Sequence, residues 1–411
     1  LDVTDPATFG PSNVLWEFTD ADDPDMGNLV AEPKIVKLMT SAPNATTPTY
    51  QWFVMVTSGY NNYKVDGSQS ADGRQALFLL SLGRQPGQAW ALGTNYYKIY
   101  ANDSGFTSTT QATGMGMPGL AMSTKGNAVA AYAGDLQGNL WKFDLTGGAS
   151  AWTGSAPASI LFVAADAATN RQPITVVPLV TPHPVGGYQL VFGTGKLLEP
   201  NDALSSAAAQ QTMYGVWDAA DGKTVRRGTT GSGSSTVNGL TTRTIAAATT
   251  STTAALTGTV FFYGTSIASP PTNYRGWYAD FSGTSERVAV DPTLFGGLAA
   301  INSSIPLGNP CVASGNFNQY RINPITGISL ATTVVTTGSG NSNVVGSGYV
   351  GSPVGLSQGD ATWSGRDATG RYGVTDTVTT ISTGASGVTI VKTQVRKLAG
   401  RMSWREITAF Q

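Results

Sequence analysis

Hydrophobic residues along this chain recur in short alternating runs, and each run is followed by a turn that contains glycine. Alternation with a period of two residues is expected of a β-strand with one buried face, and glycine-containing turns join strands into hairpins. The pattern therefore predicts repeated antiparallel hairpins. They are found in the segments DGRQALFLLSLGRQPGQAW, QGNLWKFDLTGGASAW, QTMYGVWDAADGKTV, YRGWYADFSGTSERV and NQYRINPITGIS.

The spacing of these hairpins favours a repeat architecture. The first four are separated by roughly 60 to 75 residues, somewhat more than the ~40 to 50 residues of a typical propeller repeat. A β-propeller consists of radially repeated four-stranded sheets, whereas a β-sandwich array would not explain a hairpin that recurs at this spacing. The aromatic residues at the centres of the hairpins are Phe78, Trp141, Tyr214, Trp277 and Tyr320. Further strands precede the hairpins, namely QWFVMVTSGY, VAAYAGDL, YQLVFGTGKLL and TVFFYGTSI.

The composition agrees with an all-β fold, because the 411 residues include 50 glycines and 21 prolines but only 12% charged residues. We expect one β-propeller domain over residues 1–411. With 24 basic and 25 acidic residues, the chain lacks the positive charge of a nucleic-acid-binding protein. No apolar run reaches the ~18 residues that could span a membrane. The first residues, LDVTDPATFG, do not form a signal peptide, and we expect the chain to be part of a longer secreted protein.

Two segments rich in Ser, Thr and Gly interrupt the repeats, at residues 226–258 and 332–355. Such composition is typical of exposed loops or irregular hairpins. We therefore expect long loop insertions there, around Gly231 and Gly338, although the VV and YV pairs of the second segment could also form strands.

Residues that could carry catalysis are scarce. Cys311 is the only cysteine, so neither an internal disulfide nor a CxxC pair is possible. His183 is the only histidine and lies between two prolines, which favours a structural role over a catalytic one. The GTGK segment at 193–196 lacks the spacing of a phosphate-binding loop and is read as a tight turn. The sequence therefore predicts neither catalytic nor cofactor-binding residues.

One acidic run offers a candidate metal site. Asp20, Asp22, Asp23 and Asp25 lie close together, and closely spaced carboxylates on a loop suit Ca²⁺. The run lacks the glycine and the final glutamate of an EF-hand loop, and solvated turns are the commoner explanation of such a run. It is kept as an alternative metal site.

The segment YAGDLQGNLWKFDL (132–145) closely resembles the strand-turn-strand signature of the PilY/PilC family of type IV pilus biogenesis factors and pilus-tip adhesins. Further segments resemble family motifs, occur in the family's order and span nearly the whole chain. They are LWEFTDAD (15–22), QPITVVPLV (172–180), FGTGKLLEPND (192–202), MYGVWD (213–218), GWYADF and ERVAVDP (within 276–292), NPC at Cys311 and GRMSWREI (400–407).

This resemblance implies a modified seven-bladed β-propeller with quinoprotein-like blades, as the C-terminal domain of a secreted protein. Family members promote pilus assembly, oppose its retraction, and support twitching motility and attachment. The implied partners are the minor pilins of the pilus-tip complex and a host or abiotic surface. The implied location is the pilus tip, the cell surface or the outer membrane.

Many family members also carry a calcium loop, Asp-x-Asn-x-Asp-Gly-x-x-Asp, shortly before YAGD. Counted back from Asp135, its ligand positions fall on Ala121, Ser123, Lys125 and Val129, which supply no carboxylate. An ammonium in place of a ligand would repel the ion. We therefore expect no calcium at this loop, and we expect Lys125 to hold the loop by a hydrogen bond or salt bridge.

Two alternatives stay open. The hairpin GNLWKFDL also resembles the repeat of quinoprotein dehydrogenases, which would make the chain an enzyme that uses a quinone and calcium. Such enzymes often contain a vicinal disulfide, which a chain with one cysteine cannot form. A free-standing carbohydrate-binding propeller is the other alternative.

Overall fold

The computed structural model describes residues 2–60, 73–102, 113–204, 209–227, 239–245, 256–258, 274–281, 285–306, 315–329, 343–347, 351–357, 362–366, 372–384 and 387–398. Cys311, Gly231, Gly338 and the segments TVFFYGTSI and GRMSWREI lie outside these ranges. The only helices in the described residues are 3-10 helices at Pro6–Thr8, Pro11–Asn13, Ala149–Ala151 and Pro200–Ala203. The prediction of an all-β chain is confirmed, and the described part of the chain contains no helix of a length and hydropathy suited to crossing a membrane.

The strands in chain order are β1 (Lys34–Met39), β2 (Tyr50–Thr57), β3 (Gln75–Ser81), β4 (Tyr96–Ala101), β5 (Gly119–Met122), β6 (Ala128–Gly134), β7 (Asn139–Asp144), β8 (Thr153–Gly154), β9 (Ala158–Val163), β10 (Leu179–Pro182), β11 (Tyr188–Gly193), β12 (Thr212–Asp218), β13 (Thr241–Thr242), β14 (Thr244–Ile245), β15 (Leu256–Thr257), β16 (Gly276–Asp280), β17 (Thr293–Phe295), β18 (Leu298–Pro306), β19 (Gly315–Ile322), β20 (Asn343–Ser347), β21 (Val354–Ser357), β22 (Thr362–Arg366), β23 (Tyr372–Gly384) and β24 (Gly387–Leu398).

These strands form a series of small sheets that follow the chain. Sheet 1 has the strand order β1-β2-β3-β4-β8, sheet 2 has β5-β6-β7-β9, and sheet 3 has β10-β11-β12-β16-β13. After the short hairpin β14-β15, sheet 4 has β17-β18-β19-β20, and sheet 5 has β21-β23-β22 with β24 on the free side of β23. Pairing is antiparallel except where β8 and β13 run parallel to β4 and β16.

The sheets pack face to face, so that both faces of the middle strands are buried. In β3, Leu77 and Leu79 share a core with sheet 2, whereas Phe78 packs against the N-terminal segment. In β6, Ala131 belongs to the core shared with sheet 1, and Tyr132 belongs to the core shared with sheets 3 and 4. Strands buried on both faces need apolar residues at successive positions, which explains the nearly continuous hydrophobic runs.

Successive sheets are connected where the second strand of a sheet ends. The segment that enters sheet 3 crosses the end of β6, where the backbone N–H of Ile174 donates to the carbonyl of Asp135 (2.9 Å). The segment that enters sheet 4 crosses the end of β11 in the same way, with the N–H of Val288 donating to the carbonyl of Thr194 (2.9 Å). The same type of connection between sheets therefore occurs twice along the chain.

A glycine lies under each of these two crossings. A Cβ atom on Gly134 would lie 2.2 Å from Cγ2 of Ile174, and a Cβ on Gly193 would lie 2.3 Å from Cγ2 of Val288. Nonbonded carbon atoms pack at about 3.5 to 4.0 Å, so neither position has room for a side chain. The glycines in YAGD and FGTG therefore allow the next sheet to approach.

The predicted repeats are confirmed at four of the five aromatic positions. At the fifth, the prediction of a separate repeat is wrong. Phe78, Trp141, Tyr214 and Tyr320 all lie in the third strand of their sheets. Trp277 lies instead in β16, which pairs with β12 and is the fourth strand of the sheet that holds Tyr214. Both strands are buried aromatic runs, so the hydrophobic pattern does not separate a neighbouring strand from a new repeat.

The two predicted insertions contain strands as well as undescribed residues. In the first, the two-residue strands β13, β14 and β15 attach to sheet 3 or to each other. In the second, β20 pairs with β19, and β21 joins sheet 5. The first segment therefore contains a short hairpin, and the alternative of a strand at a VV pair of the second segment is confirmed by β20, whereas loops alone do not describe either segment. The number of blades stays a prediction.

We predict that Gly134→Ala destabilises the protein by about 1–3 kcal/mol, the usual cost of overpacking a core, because the new methyl group would collide with Ile174. Gly10→Ala is the matched control, since a Cβ at Gly10 meets no atom within 4 Å. It should change stability by less than about 0.5 kcal/mol. Chemical denaturation of both variants measures the difference, and equal midpoints would show that the crossing tolerates a side chain.

Candidate functional site

The signature hairpin is organised by the side chain of Asp135, which is fully buried between β6 and β7. Its carboxylate accepts hydrogen bonds from the backbone N–H of Asn139 (2.8 Å), from Nδ2 of Asn139 (2.9 Å) and from Nε1 of Trp141 (2.7 Å). Gly138 has a φ of +79°, which few residues other than glycine adopt readily. The Asp, Gly, Asn and Trp of this motif are therefore all used to form the turn.

Burial raises the pKa of Asp135 to about 6, and its hydrogen-bond donors oppose that rise because they favour the ionised form. A carboxyl group that titrates near neutrality can indicate an acid–base site. Here the hydrogen bonds to the carboxylate come from within the hairpin, so the shift follows from the structural role of Asp135.

The loop before this hairpin is a tight turn between β5 and β6. The backbone N–H of Ser123 donates to the carbonyl of Asn127 (2.8 Å), and that of Gly126 donates to the carbonyl of Ser123 (3.0 Å). The Ser123 hydroxyl also bonds Oδ1 of Asn127 (2.6 Å) and accepts from the backbone N–H of Lys125 (3.1 Å). Ser123 and Asn127 thus close the turn.

The four positions equivalent to the family's calcium ligands do not fit a calcium ion. Ala121 is buried in the core shared by sheets 2 to 4, and Val129 packs against that core. Ser123 is engaged with Asn127. Lys125 is exposed, and its contribution to the loop is the hydrogen bond from its backbone N–H to the Ser123 hydroxyl rather than an ion pair with another described residue. Two apolar side chains and an ammonium cannot replace carboxylate ligands.

The acidic run is divided between different contacts. Asp23 and Asp25 are buried, whereas Asp20 and Asp22 are exposed. Asp22 accepts from the backbone N–H of Thr19 (2.9 Å) and so caps a local turn. Among the described residues, no three His, Cys, Asp or Glu side chains are grouped closely enough to hold a metal ion.

Asp23 and Asp25 bind a row of three donors on β4. Lys98 donates to Asp23 (2.8 Å) and to Asp25 (2.7 Å), while the hydroxyls of Tyr96 and Tyr100 donate to Asp23 (3.0 Å) and Asp25 (2.8 Å). Residues two apart in a strand share a face, which aligns these donors. The sequence analysis did not predict this cluster. A lysine in the middle of the apolar strand YYKIYA could have indicated it, because a buried charge needs a partner.

The contacts of the only histidine, His183, serve the fold. His183 is buried, stacks on Trp217 with ring centroids 4.1 Å apart, and accepts at Nδ1 from the N–H of Val185 (3.2 Å). Burial lowers its pKa to about 4, so the imidazole is neutral at neutral pH. In the GTGK turn, Lys196 forms ion pairs with Glu199 (2.9 Å) and Asp202 (3.1 Å).

We predict that Lys98→Met destabilises the protein by about 3–5 kcal/mol, because it removes the ammonium that two buried carboxylates share. Lys37→Met on β1 is the matched control. It removes an ammonium 4.6 Å from the Tyr50 ring centroid, a contact worth about 1 kcal/mol or less when exposed. Chemical denaturation measures the free energy of unfolding of both variants. Adding Asp23→Asn and Asp25→Asn to Lys98→Met should recover part of the loss, and a Lys98→Met midpoint equal to that of the control would contradict the pairing.

Comparison with known proteins identifies relatives of this chain. A type IV pilus biogenesis factor PilY1 homolog from Xylella fastidiosa strain Temecula1 is 30% identical over 350 residues, which cover 78% of this chain and 20% of the relative. Type IV pilus biogenesis factor PilY1 from Pseudomonas aeruginosa strain PAO1 is 30% identical over 365 residues, 80% of this chain and 28% of the relative. In strain UCBPP-PA14 the match is 27% identical and covers 99% of this chain and 35% of the relative. The chain thus spans about a fifth to a third of these relatives.

The fold has a counterpart among solved structures. The crystal structure of the Pseudomonas aeruginosa PilY1 C-terminal domain matches with a TM-score of 0.61 at 23% sequence identity, over 92% of this chain and 74% of that domain. The family model described as the PilY1 β-propeller domain matches residues 1–255. This chain belongs to the PilY1 β-propeller domain family.

Proposed function

We propose that this chain is the propeller domain of an exported type IV pilus biogenesis factor that acts at the pilus tip. The family match over residues 1–255 carries the proposal, and the relatives, which are type IV pilus biogenesis factors, support it. In this role the protein promotes pilus assembly, opposes retraction, and supports twitching motility and surface attachment. It is located at the tip, the cell surface or the outer membrane, as the C-terminal part of a longer secreted protein.

The proposed mechanism is protein binding by a rigid scaffold. Five sheets of four or five strands each in the described residues support a propeller, for which we propose a modified seven-bladed form with quinoprotein-like blades. The crossings at Gly134 and Gly193 leave little freedom for one sheet to move against the next. Such a scaffold would present its loops to minor pilins of the tip complex and to a host or abiotic surface.

We propose no catalytic role. The titratable groups that would attract attention as catalysts already have structural contacts: Asp135 holds the signature turn, and His183 stacks on Trp217. These contacts favour a binding function over a quinone-dependent dehydrogenase.

We also propose that the turn before the signature hairpin folds without calcium. The hydrogen bonds between Ser123 and Asn127, and the packing of Ala121 and Val129 on the core, support this proposal. In this chain, the turn obtains its order from the strands that it joins.

Titration calorimetry of the EDTA-treated domain with Ca²⁺ should therefore show no binding at the turn, because the turn supplies no carboxylate. Amide exchange at Ser123 and Gly126 should be equal with Ca²⁺ and with EDTA. Micromolar binding that Asp20→Asn and Asp22→Asn abolish would locate a site in the acidic run. Slower exchange at Ser123 and Gly126 on adding Ca²⁺ would overturn the proposal for the turn.

Deletion of the full-length gene tests the biogenesis role. We expect the deletion to abolish or strongly reduce surface pili and twitching, and we expect pili to return when the retraction motor is also removed. Complementation with the wild-type gene is the control. Normal piliation and twitching after the deletion would exclude the proposed function.

A further inference from the structure

Three charged side chains are buried together between the N-terminal segment and sheet 1. The Lys98 ammonium donates to Oδ1 of Asp23 (2.8 Å) and to Oδ2 of Asp25 (2.7 Å). Lys98, Asp23 and Asp25 are only 7%, 2% and 6% exposed. An amine that is held within hydrogen-bond distance of a carboxyl group has the proximity that favours a reaction between the two. The proposed function uses none of these three groups.

Aromatic side chains surround this cluster and shield it from water. The Lys98 ammonium lies 5.8 Å from the ring centroid of Phe78 and 4.9 Å from that of Tyr100. The ring of Tyr96 continues this wall, because it packs against Phe18 with centroids 5.2 Å apart. Buried charges lose their hydration, and an ion pair recovers that cost only in part. Conversion of one ion pair into a neutral amide removes two of the buried charges.

The carboxyl group of Asp23 is the one arranged for attack by the amine. Its Oδ2 accepts from the Tyr96 hydroxyl (3.0 Å), and its Oδ1 accepts from the backbone N–H of Asp25 (3.1 Å) as well as from Lys98. Such donors stabilise the negative charge that develops on a carboxyl oxygen when a nucleophile adds to the carbon. Burial raises the pKa of Tyr96, so its hydroxyl keeps the proton that it donates.

The carboxylate of Asp25 is placed to act as the base. Its Oδ2 accepts from the Lys98 ammonium and also from the Tyr100 hydroxyl (2.8 Å). Burial disfavours the charge on Lys98, but the hydrogen bonds to the two carboxylates outweigh it and raise the pKa of the amine. The nitrogen can therefore attack only after a neighbouring base has taken a proton from it.

We propose that Lys98 and Asp23 condense into an intramolecular amide bond, with Asp25 as the proton carrier. Asp25 takes one proton from the ammonium, and Nζ of Lys98 then forms a bond to Cγ of Asp23. The bond between Cγ and Oδ1 breaks, and Oδ1 leaves as water with two of the ammonium protons, one of them returned by Asp25. Oδ2 remains as the amide oxygen and accepts from Tyr96. The amide N–H keeps the third proton and donates to Asp25, so the reaction needs no other reactant.

Two other paired lysines show which features Lys98 combines. Lys142 forms an ion pair with Asp218 (2.6 Å), but this is a single carboxylate and the lysine side chain is 23% exposed. Lys196 contacts two carboxylates, yet its side chain is 31% exposed. The first pair therefore lacks a separate base, and the second is open to water. Of these three lysines, only Lys98 has two carboxylates in a site closed to water.

The bond would join residues that lie 75 positions apart and fix the N-terminal segment to β4. A crosslink restricts the unfolded chain, so the amide stabilises the fold in addition to the contacts around it. The inference is independent of the proposed function, because it follows from contacts inside the domain.

Mass spectrometry of the purified and denatured chain tests the bond. The wild type should be lighter than its sequence mass by one water molecule. Trypsin should release a branched peptide in which Asp23 is joined to an uncleaved Lys98. Hydroxylamine should leave this mass difference in place, since it opens a cyclic imide at an aspartate but does not cleave an amide. A wild type with the full sequence mass, or without the branched peptide, would overturn the inference.

Variants separate the amine from the base. Lys98→Arg keeps the positive charge without a nucleophilic amine, and Asp25→Asn keeps the ion pair of Lys98 with Asp23 without the base. Both should have the full sequence mass. Circular dichroism spectra equal to that of the wild type, required of Asp25→Asn at least, show that the missing bond is not due to unfolding.

Lys142→Arg is the matched control and should keep the loss of one water molecule, because Lys142 lies outside the cluster. A loss of water from Lys98→Arg would place the reaction elsewhere and overturn the inference. A loss of ammonia from Asp25→Asn would show that residue 25 is the one attacked, and it would overturn the roles given to the two carboxylates. These measurements use the purified chain, so their outcome is separate from that of the gene deletion.

Discussion

The sheets of this protein can stack because Gly134 and Gly193 have no side chain. At these two positions the segment that enters the next sheet approaches the backbone closely. At each one the chain enters the next sheet directly over the end of the second strand of the sheet before it, and a backbone hydrogen bond fixes the crossing. Any Cβ at these positions would push the next sheet outward. The cores between the sheets, which use both faces of strands such as β3 and β6, depend on that short distance because packing contacts fall off steeply with separation.

The first sheet has no preceding sheet among the described residues, and the N-terminal segment covers its outer face. Phe18 lies 5.2 Å from both Trp90 and Tyr96 between ring centroids and 5.7 Å from Phe78. Beside this aromatic cluster, Lys98 holds the buried carboxylates of Asp23 and Asp25. The aromatic rings make apolar contacts, whereas the ion pairs need specific partners, because a buried charge without a partner is costly.

The polar side chains of the turns also pair with one another. In the signature hairpin the Asn and the Trp both donate to the Asp, and in the preceding turn Ser123 bonds Asn127. Ala121 and Val129 then add to the core rather than face an ion.

The sequence by itself determined the strand character, the glycine turns and the family, because a period of two and a contiguous motif are local properties. It also placed four of the five aromatic residues correctly. The assignment of Trp277 to a separate repeat failed, because strand neighbours are decided by pairing between distant segments. The partnership of Lys98 with Asp23 and Asp25, more than 70 residues away, likewise needed the fold. So did the crossing of Ile174 over the end of β6, because only the stacking of the sheets brings the segment that enters sheet 3 to Asp135.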